Sequence, residues 1–228
     1  MWPGPNPLGC VGYVMTPPSP DRRKYPRTPH LPWSPGAGGD DVMLGHALPF
    51  AGQEVVVTEK LDGENTTLYR HGLHARSLDP RPHPSRDWVK RLQGQIGHLI
   101  PEGWRVCGEN LYARHSLGYD DLESYFYLFS VWDETDTALN WDDTLAWAEH
   151  LGVPTPRQLF RGLWDERTVR ALPVNPEVME GYVVRSTQGF SYTDFQENLA
   201  KYVRPGHVQT DAHWMHGAVT PNGLRSTP

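Results

Sequence analysis

The stretch Glu54-Val55-Val56-Val57-Thr58-Glu59-Lys60-Leu61-Asp62-Gly63-Glu64-Asn65 decides the fold. Its β-branched run predicts a buried strand, and Asp62-Gly63 supplies the turn that stops it. Lys60 leaves the end of this strand beside a glycine turn, and the Lys-x-Asp-Gly string gains its meaning from the order of the motifs that follow it. Working outward, Thr66 to Tyr69 and Leu73 to Ser77 flank His71-Gly72 and predict a hairpin that continues the sheet. Trp88, Leu92, Ile96 and Leu99 recur at helical spacing, which predicts an amphipathic helix over Arg86 to Ile100, ended by Pro101. Trp104 to Cys107 and Tyr125 to Trp132 read as aromatic-rich strands. Asp142 to His150, stopped at Gly152, and Asp165 to Leu172, stopped at Pro173, read as helices. Tyr182-Val183-Val184 and Tyr202-Val203 complete the strands. Hairpin connections make the sheets mainly antiparallel, an α+β architecture flanked by helices.

The first fifty residues read differently. Ten of the chain's 22 prolines fall between Pro3 and Pro35, which opposes both helix and central strand. Residues 1–50 are therefore expected to form an extended Pro-rich arm, residues 51–206 the folded domain and residues 207–228 a short C-terminal tail. The arm carries Arg22, Arg23, Lys24 and Arg27 beside Tyr25 and Trp33, a mixture able to grip a phosphate backbone or a base, or simply to drape on the domain.

Composition narrows the function. At 228 residues, with 38% hydrophobic residues and nine Trp, ten Tyr and six Phe, the chain can bury a core without metal or disulfide staples. Its formal charge of -6 gives no global basic field, so any polyanion must be gripped locally. Cys10 and Cys107 make no disulfide framework, and no basic leader precedes an apolar stretch, so a cytoplasmic, membrane-free protein is expected. No Walker loop is present. His213-x-x-His216 with His207 upstream lacks the partner cysteines of a zinc site, and Asp133-Glu134-Thr135-Asp136 reads as a solvated acidic face.

Three further strand-end charge motifs follow the lysine in order: Gly108-Glu109-Asn110, Glu180-Gly181-Tyr182-Val183-Val184-Arg185 and Lys201-Tyr202-Val203-Arg204. With Ala75-Arg76-Ser77 and Phe126-Tyr127-Leu128-Phe129 between them, they resemble the ATP-dependent RNA ligases of the covalent nucleotidyltransferase superfamily over about Glu54 to Gly206. Asn65 resembles the RNA ligases in particular, because DNA ligases and capping enzymes usually carry arginine there. The resemblance implies a nucleotidyltransferase domain of ATP-grasp-like ligase type. It also implies that Lys60 takes AMP from ATP as a lysyl phosphoramidate. Glu59, Asn65, Arg76, Glu109, Phe129, Glu180 and Lys201 would bind ATP or AMP. Of these, Glu59 would meet the adenine amino group, Phe129 would stack on the base and Asn65 would serve the later end-joining steps. Asp62, Glu109 and Glu180 would hold Mg²⁺ or Mn²⁺, and Arg185 is a weaker candidate.

The chemistry agrees with these residue types. A phosphoramidate requires an amine nucleophile, yet free lysine titrates near ~10.4 and must be made to give up its proton. Burial, a cation and Lys201 favour that loss, while Asp62 and Glu59 oppose it. RNA 5′-phosphate and 3′-hydroxyl ends are the implied partners, prepared by an end-processing kinase or phosphatase in RNA repair. DNA nick sealing or guanylyl transfer is an alternative reading, and a catalytically idle nucleotide- or RNA-binding module is another. The sequence departs from the family pattern where Ser130 follows Phe129 in place of aspartate, and where Arg204 stands in place of a second lysine. The 27 residues after Lys201 are too few for a C-terminal OB domain, which is expected to be absent.

Overall fold

A computed structural model describes residues 22–39, 41–46, 48–78, 82–206 and 219–226. Cys10, His207, His213 and His216 lie outside the described residues. Two antiparallel sheets face one another. The first contains β1 (Glu54–Lys60), β7 (Gln158–Leu163), β8 (Gly181–Ser186) and β10 (Leu199–Val203), in the order β10-β8-β1-β7. The second contains β2 (Glu64–Tyr69), β3 (Gly72–Ala75), β4 (Arg105–Asn110), β5 (Phe126–Trp132), β6 (Thr137–Ala138) and β9 (Phe190–Ser191), in the order β3-β2-β4-β5-β6-β9. The chain therefore changes sheets at Leu61-Asp62-Gly63, the turn between β1 and β2.

The predicted helices are present, the first and third shorter than expected and the second one residue longer at each end. α1 spans Asp87–Ile96 and tightens into a 3-10 turn at Gly97–Leu99. α2 (Trp141–Leu151) begins at Asn140, whose side chain accepts from the Asp143 amide, and stops at left-handed Gly152. α3 covers only Glu166–Arg170, and a four-residue α4 spans Phe195–Asn198. The sequence reading missed β7, an edge strand whose half-exposed pattern gives no clean alternation.

Four apolar clusters among the described residues hold these elements, the smallest being Leu61, Leu111 and Leu122 beside the turn between the sheets. Leu68, Val106, Phe126 and Leu128 of the second sheet pack against Val89 and Ile96 of α1 and Ala148 and Leu151 of α2. Val55, Val57, Tyr182 and Val184 on the outer face of the first sheet pack with Leu31, Phe50 and Val169. Between the sheets lie Tyr25, Cys107, Trp132, Phe195 and Leu199, with Phe129 and Val183 partly buried against them. Each fully buried large apolar side chain is worth about 1.5–3 kcal/mol, so the arm residues Leu31 and Phe50 are integral to the core.

The described part of the arm has no helix before the 3-10 turn Leu48–Phe50, as the prolines require. It is docked along the domain: Lys201 N donates to Pro29 O, Leu31 N donates to Lys201 O, and Val203 N donates to Ser34 Oγ. Residues 219–226 are stitched in as well. Asn222, 3% exposed, donates to Leu111 O at 2.7 Å and accepts from Tyr119 N at 2.8 Å. The acidic run is solvated at Glu134 and Thr135, but its two aspartates are engaged. Asp133 accepts from the amides of Thr135 and Thr137, and Asp136 pairs with Arg23 and Arg105. Among the described residues no helix is long and apolar enough to cross a membrane.

Candidate active site

Strand β1 delivers Lys60 to the cleft between the sheets. In its register Lys60 opposes Gly181, which in turn opposes Val203 of β10, so Glu180 just before β8 reaches the lysine. Lys60 Nζ lies 2.5 Å from Glu180 Oε2, with the Glu180 side chain 2% exposed. Lys201, two strands away, also faces this cleft and is mostly buried. From the second sheet come Asn65 and Glu109, paired in register across β2 and β4. Glu109 Oε1 accepts from Gly63 N at 3.2 Å.

The electrostatics follow from this crowding. Burial alone would lower the pKa of Lys60, but Glu180, then Glu109 and Asp62, outweigh it and raise it above the ordinary lysine value. The ligand-free lysine is therefore an ammonium. The acid with most influence is Glu180; of the two acids expected to oppose deprotonation, Asp62 acts on Lys60 more weakly than Glu180 and Glu109. Glu109 is pushed up to about 8, first by burial and then by the charges of Glu180 and Asp62, against the pull of Lys60. Lys201 is pushed down to about 8 by burial and then by Lys60, while Asp41 and Glu180 pull it back.

The other expected residues divide. Asp62 is buried, but its Oδ2 accepts from Ser116 Oγ at 2.6 Å and from Leu117 N at 2.8 Å, and its amide donates to Tyr119 OH. Its carboxylate anchors the loop after β4. Glu59 sits one residue from Lys60 on a strand, hence on the opposite face, where it pairs with Arg157 Nε at 3.0 Å. Asn65 Oδ1 is buried without a hydrogen-bond partner. Arg76 is exposed at the end of β3, with its amide donating to Asn65 O. Phe129 packs at the floor of the cleft, its ring 5.2 Å from that of Tyr25 in an edge contact. Arg185 does not join the lysine: it donates to the carbonyls of Phe129 and Leu139, spanning from β8 to the second sheet.

Sequence reasoning missed Tyr119 and Ser116, which fix the Asp62 turn, and Asp41 and His30, which meet Lys201 from the arm. No spacing signal links these pairs. A third contact, the buried bidentate pair of Arg86 with Glu64, fastens the start of α1 behind Asn65.

The acids also bear on a divalent cation. Three carboxylates, Asp62, Glu109 and Glu180, act on one lysine, and Glu109 is driven toward its neutral form, a local excess of negative charge that a hard cation relieves. Glu109 and Glu180 therefore fit such an ion, while Asp62 is engaged elsewhere. Among the described residues no group of three His, Cys, Asp or Glu forms a metal cage, so phosphate oxygens and water would complete the shell.

A strand-end lysine is thus held by a buried glutamate in the cleft between two antiparallel sheets. The family described as RNA ligase matches residues 53–203, well over half of the sequence. The chain belongs to the RNA ligase family. Among solved structures, Naegleria gruberi RNA ligase with PPi is 20% identical, with a TM-score of 0.53 over 69% of this chain and 51% of that one. A variant of the Naegleria gruberi RNA ligase with ATP and Mn is 18% identical, with a TM-score of 0.51 over 69% and 51%. An archaeal ATP-dependent RNA ligase is 16% identical, with a TM-score of 0.54 over 80% and 48%. At these identities the likeness is one of fold, and the chain spans about half the length of the solved structures it matches. No curated protein sequence matches it.

Proposed function

We propose that this chain is the adenylyl-transfer module of an ATP-dependent RNA ligase acting in cytoplasmic RNA repair, with its two sheets as the walls of an ATP-grasp-like cleft. The observation that carries the reading is the 2.5 Å contact between Lys60 Nζ and buried Glu180, with Glu109 and Lys201 around it. Family membership supports it, as do the ATP and Mn in a structure of the same fold.

In this reading Lys60 Nζ attacks the α-phosphorus of ATP; the N–P bond forms, the bond to the bridging oxygen breaks, and pyrophosphate leaves. Glu180, the nearest base, is placed to take the Nζ proton. Lys201 and Arg76 supply positive charge for the non-bridging oxygens and the departing pyrophosphate. A divalent cation, held by Glu109 and Glu180, would neutralise phosphate charge and offset the acids that keep Lys60 protonated. Phe129 forms the base end of the cleft, and Asn65 Oδ1 offers an unpaired acceptor to a hydroxyl in the end-joining steps. AMP then passes to an RNA 5′-phosphate, and a 3′-hydroxyl displaces it; an end-processing kinase or phosphatase would supply such ends.

The test is self-labelling by α-labelled ATP with Mg²⁺ or Mn²⁺, followed by transfer to 5′-phosphorylated RNA. Wild type should carry label and Lys60→Ala none. Label from GTP alone would turn the reading to guanylyl transfer. Joining of DNA only would turn it to nick sealing, and saturable ATP binding without an adduct to an idle module.

A further inference from the structure

The arm brings an acid to Lys201 that the reaction scheme above does not use. Pro29 to Leu31 runs beside β10, and His30 is flanked on its other side by Val42 and Leu44, whose backbones exchange hydrogen bonds with it. This fold of the arm sets Asp41 over the end of the Lys201 side chain. Asp41 Oδ1 lies 3.7 Å from Lys201 Nζ; Asp41 Oδ2 accepts from Gly38 N at 2.9 Å and lies 3.3 Å from His30 Nε2. His30 is fully buried, and its Nδ1 is 2.8 Å from Ser34 Oγ. That hydroxyl also accepts from Val203 N, while His30 Nε2 lies beside Asp41 without a hydrogen bond, so the Asp41 carboxylate is tied by the Gly38 amide and packed against the imidazole.

We propose that Asp41 is a positioning residue for Lys201, held by the Gly38 amide beside buried His30 so that the arm fixes the ammonium at the phosphate end of the cleft. The inference rests on the adenylyl-transfer reading. The charged groups acting on Lys201 are Lys60 from β1, Arg76 from beyond β3, Glu180 from before β8, and Asp41 from the arm. Two of these are cations that oppose its charge. Of the two acids, Glu180 is already bonded to Lys60, so Asp41 is the counterion that Lys201 does not share with the nucleophile. Burial leaves Lys201 poised near 8 with Asp41 present. Removing the Asp41 charge lets Lys201 lose its proton at lower pH, and the site loses a cation where phosphate charge builds.

The experiment is the initial rate of self-labelling of the full chain by α-labelled ATP with Mg²⁺, from about pH 6 to 10, for wild type and Asp41→Asn. The alkaline limb of the variant should lie about one pH unit lower, the shift expected for losing a close opposite charge. The variant should approach the wild-type rate at the acidic end, and Asp41→Asn should add nothing in a Lys201→Ala background. A uniformly slower variant with an unshifted profile, or an unchanged one, overturns the role of Asp41 and leaves the adenylyl-transfer reading standing. A wild type that takes no label at any pH overturns both.

Discussion

Replacing Gly63 with alanine tests how closely the site depends on packing at the turn between the sheets. A Cβ at Gly63 would sit 2.5 Å from Asn110 O, 2.7 Å from Leu111 Cδ2 and 3.1 Å from Glu109 Cγ. The need at this position is therefore for space. Asn110 O belongs to β4, so the methyl can be housed only by moving the β2–β4 ladder, where Asn65 opposes Glu109, or by shifting the turn that carries Asp62. Overpacking of this kind costs about 1–3 kcal/mol, which for a chain of this size lowers Tm by roughly 2–12 °C. Displacement of a reacting group by about 1 Å costs on the order of a hundredfold in rate, so self-labelling should fall by that much. Thermal unfolding by circular dichroism and labelling rates on the same preparations measure both. Gly52→Ala is the control: its φ of +76 makes alanine strained, but nothing lies within 4 Å and the site is remote, so stability should fall by about 1 kcal/mol with labelling intact. A Gly63→Ala protein that melts like wild type and labels within twofold of it would refute the argument.

Two other outcomes are expected. His30 is held down to about 4, by burial first and then by Lys201, so below the unfolded value near 6.5 the unfolded chain binds a proton that the folded one refuses. The associated stability, about 3 kcal/mol, is present above pH 6.5 and lost as pH falls toward 4. Urea titrations at pH 7 and 4.5 should show this loss in wild type and a smaller one in His30→Gln; equal losses would count against it. Asn222→Ala strands Leu111 O and Tyr119 N and should cost about 1–3 kcal/mol. Because Tyr119 OH accepts from Asp62 N, labelling should also slow at temperatures where the variant is fully folded.

What the sequence revealed was local. Val55-Val56-Val57 announced β1, Trp88, Leu92 and Ile96 announced α1, and Gly152 marked the end of α2, because strand propensity, helical spacing and left-handed caps are written in neighbouring residues. The partners of the charged groups were not legible. Glu180 lies 120 residues from Lys60, and Tyr119 lies 57 from Asp62, distances that only the fold closes. Proline content excluded helix in the arm but carried no information on where it docks, so Asp41 and Tyr25 were invisible as neighbours of Lys201 and Phe129. One placement was legible from sequence alone: if β1 runs through Lys60, the alternation of a strand sends the Glu59 side chain to the other face.

Arg185 shows how the remaining motif residue acts without touching the chemistry. Glu180 and Arg185 bracket β8: the first contacts Lys60, and the second, almost fully buried, donates to the carbonyls of Phe129 and Leu139 on the opposing sheet. Burial pushes its pKa down to about 10, so it remains cationic at neutral pH, with its guanidinium also lying over the Phe190 and Trp141 rings. A planar fork that reaches two carbonyls at once holds both translation and tilt between the sheets, which a single lysine ammonium would not. Gly181 performs the matching task at the other end of the strand, because a Cβ there would lie 1.9 Å from Tyr202 O and force β8 away from β10. With β10 carrying Lys201 and β8 following Glu180, the close pairing at Gly181 sets the distance between Lys201 and Glu180, and the Arg185 fork sets how far both stand from Glu109 across the cleft.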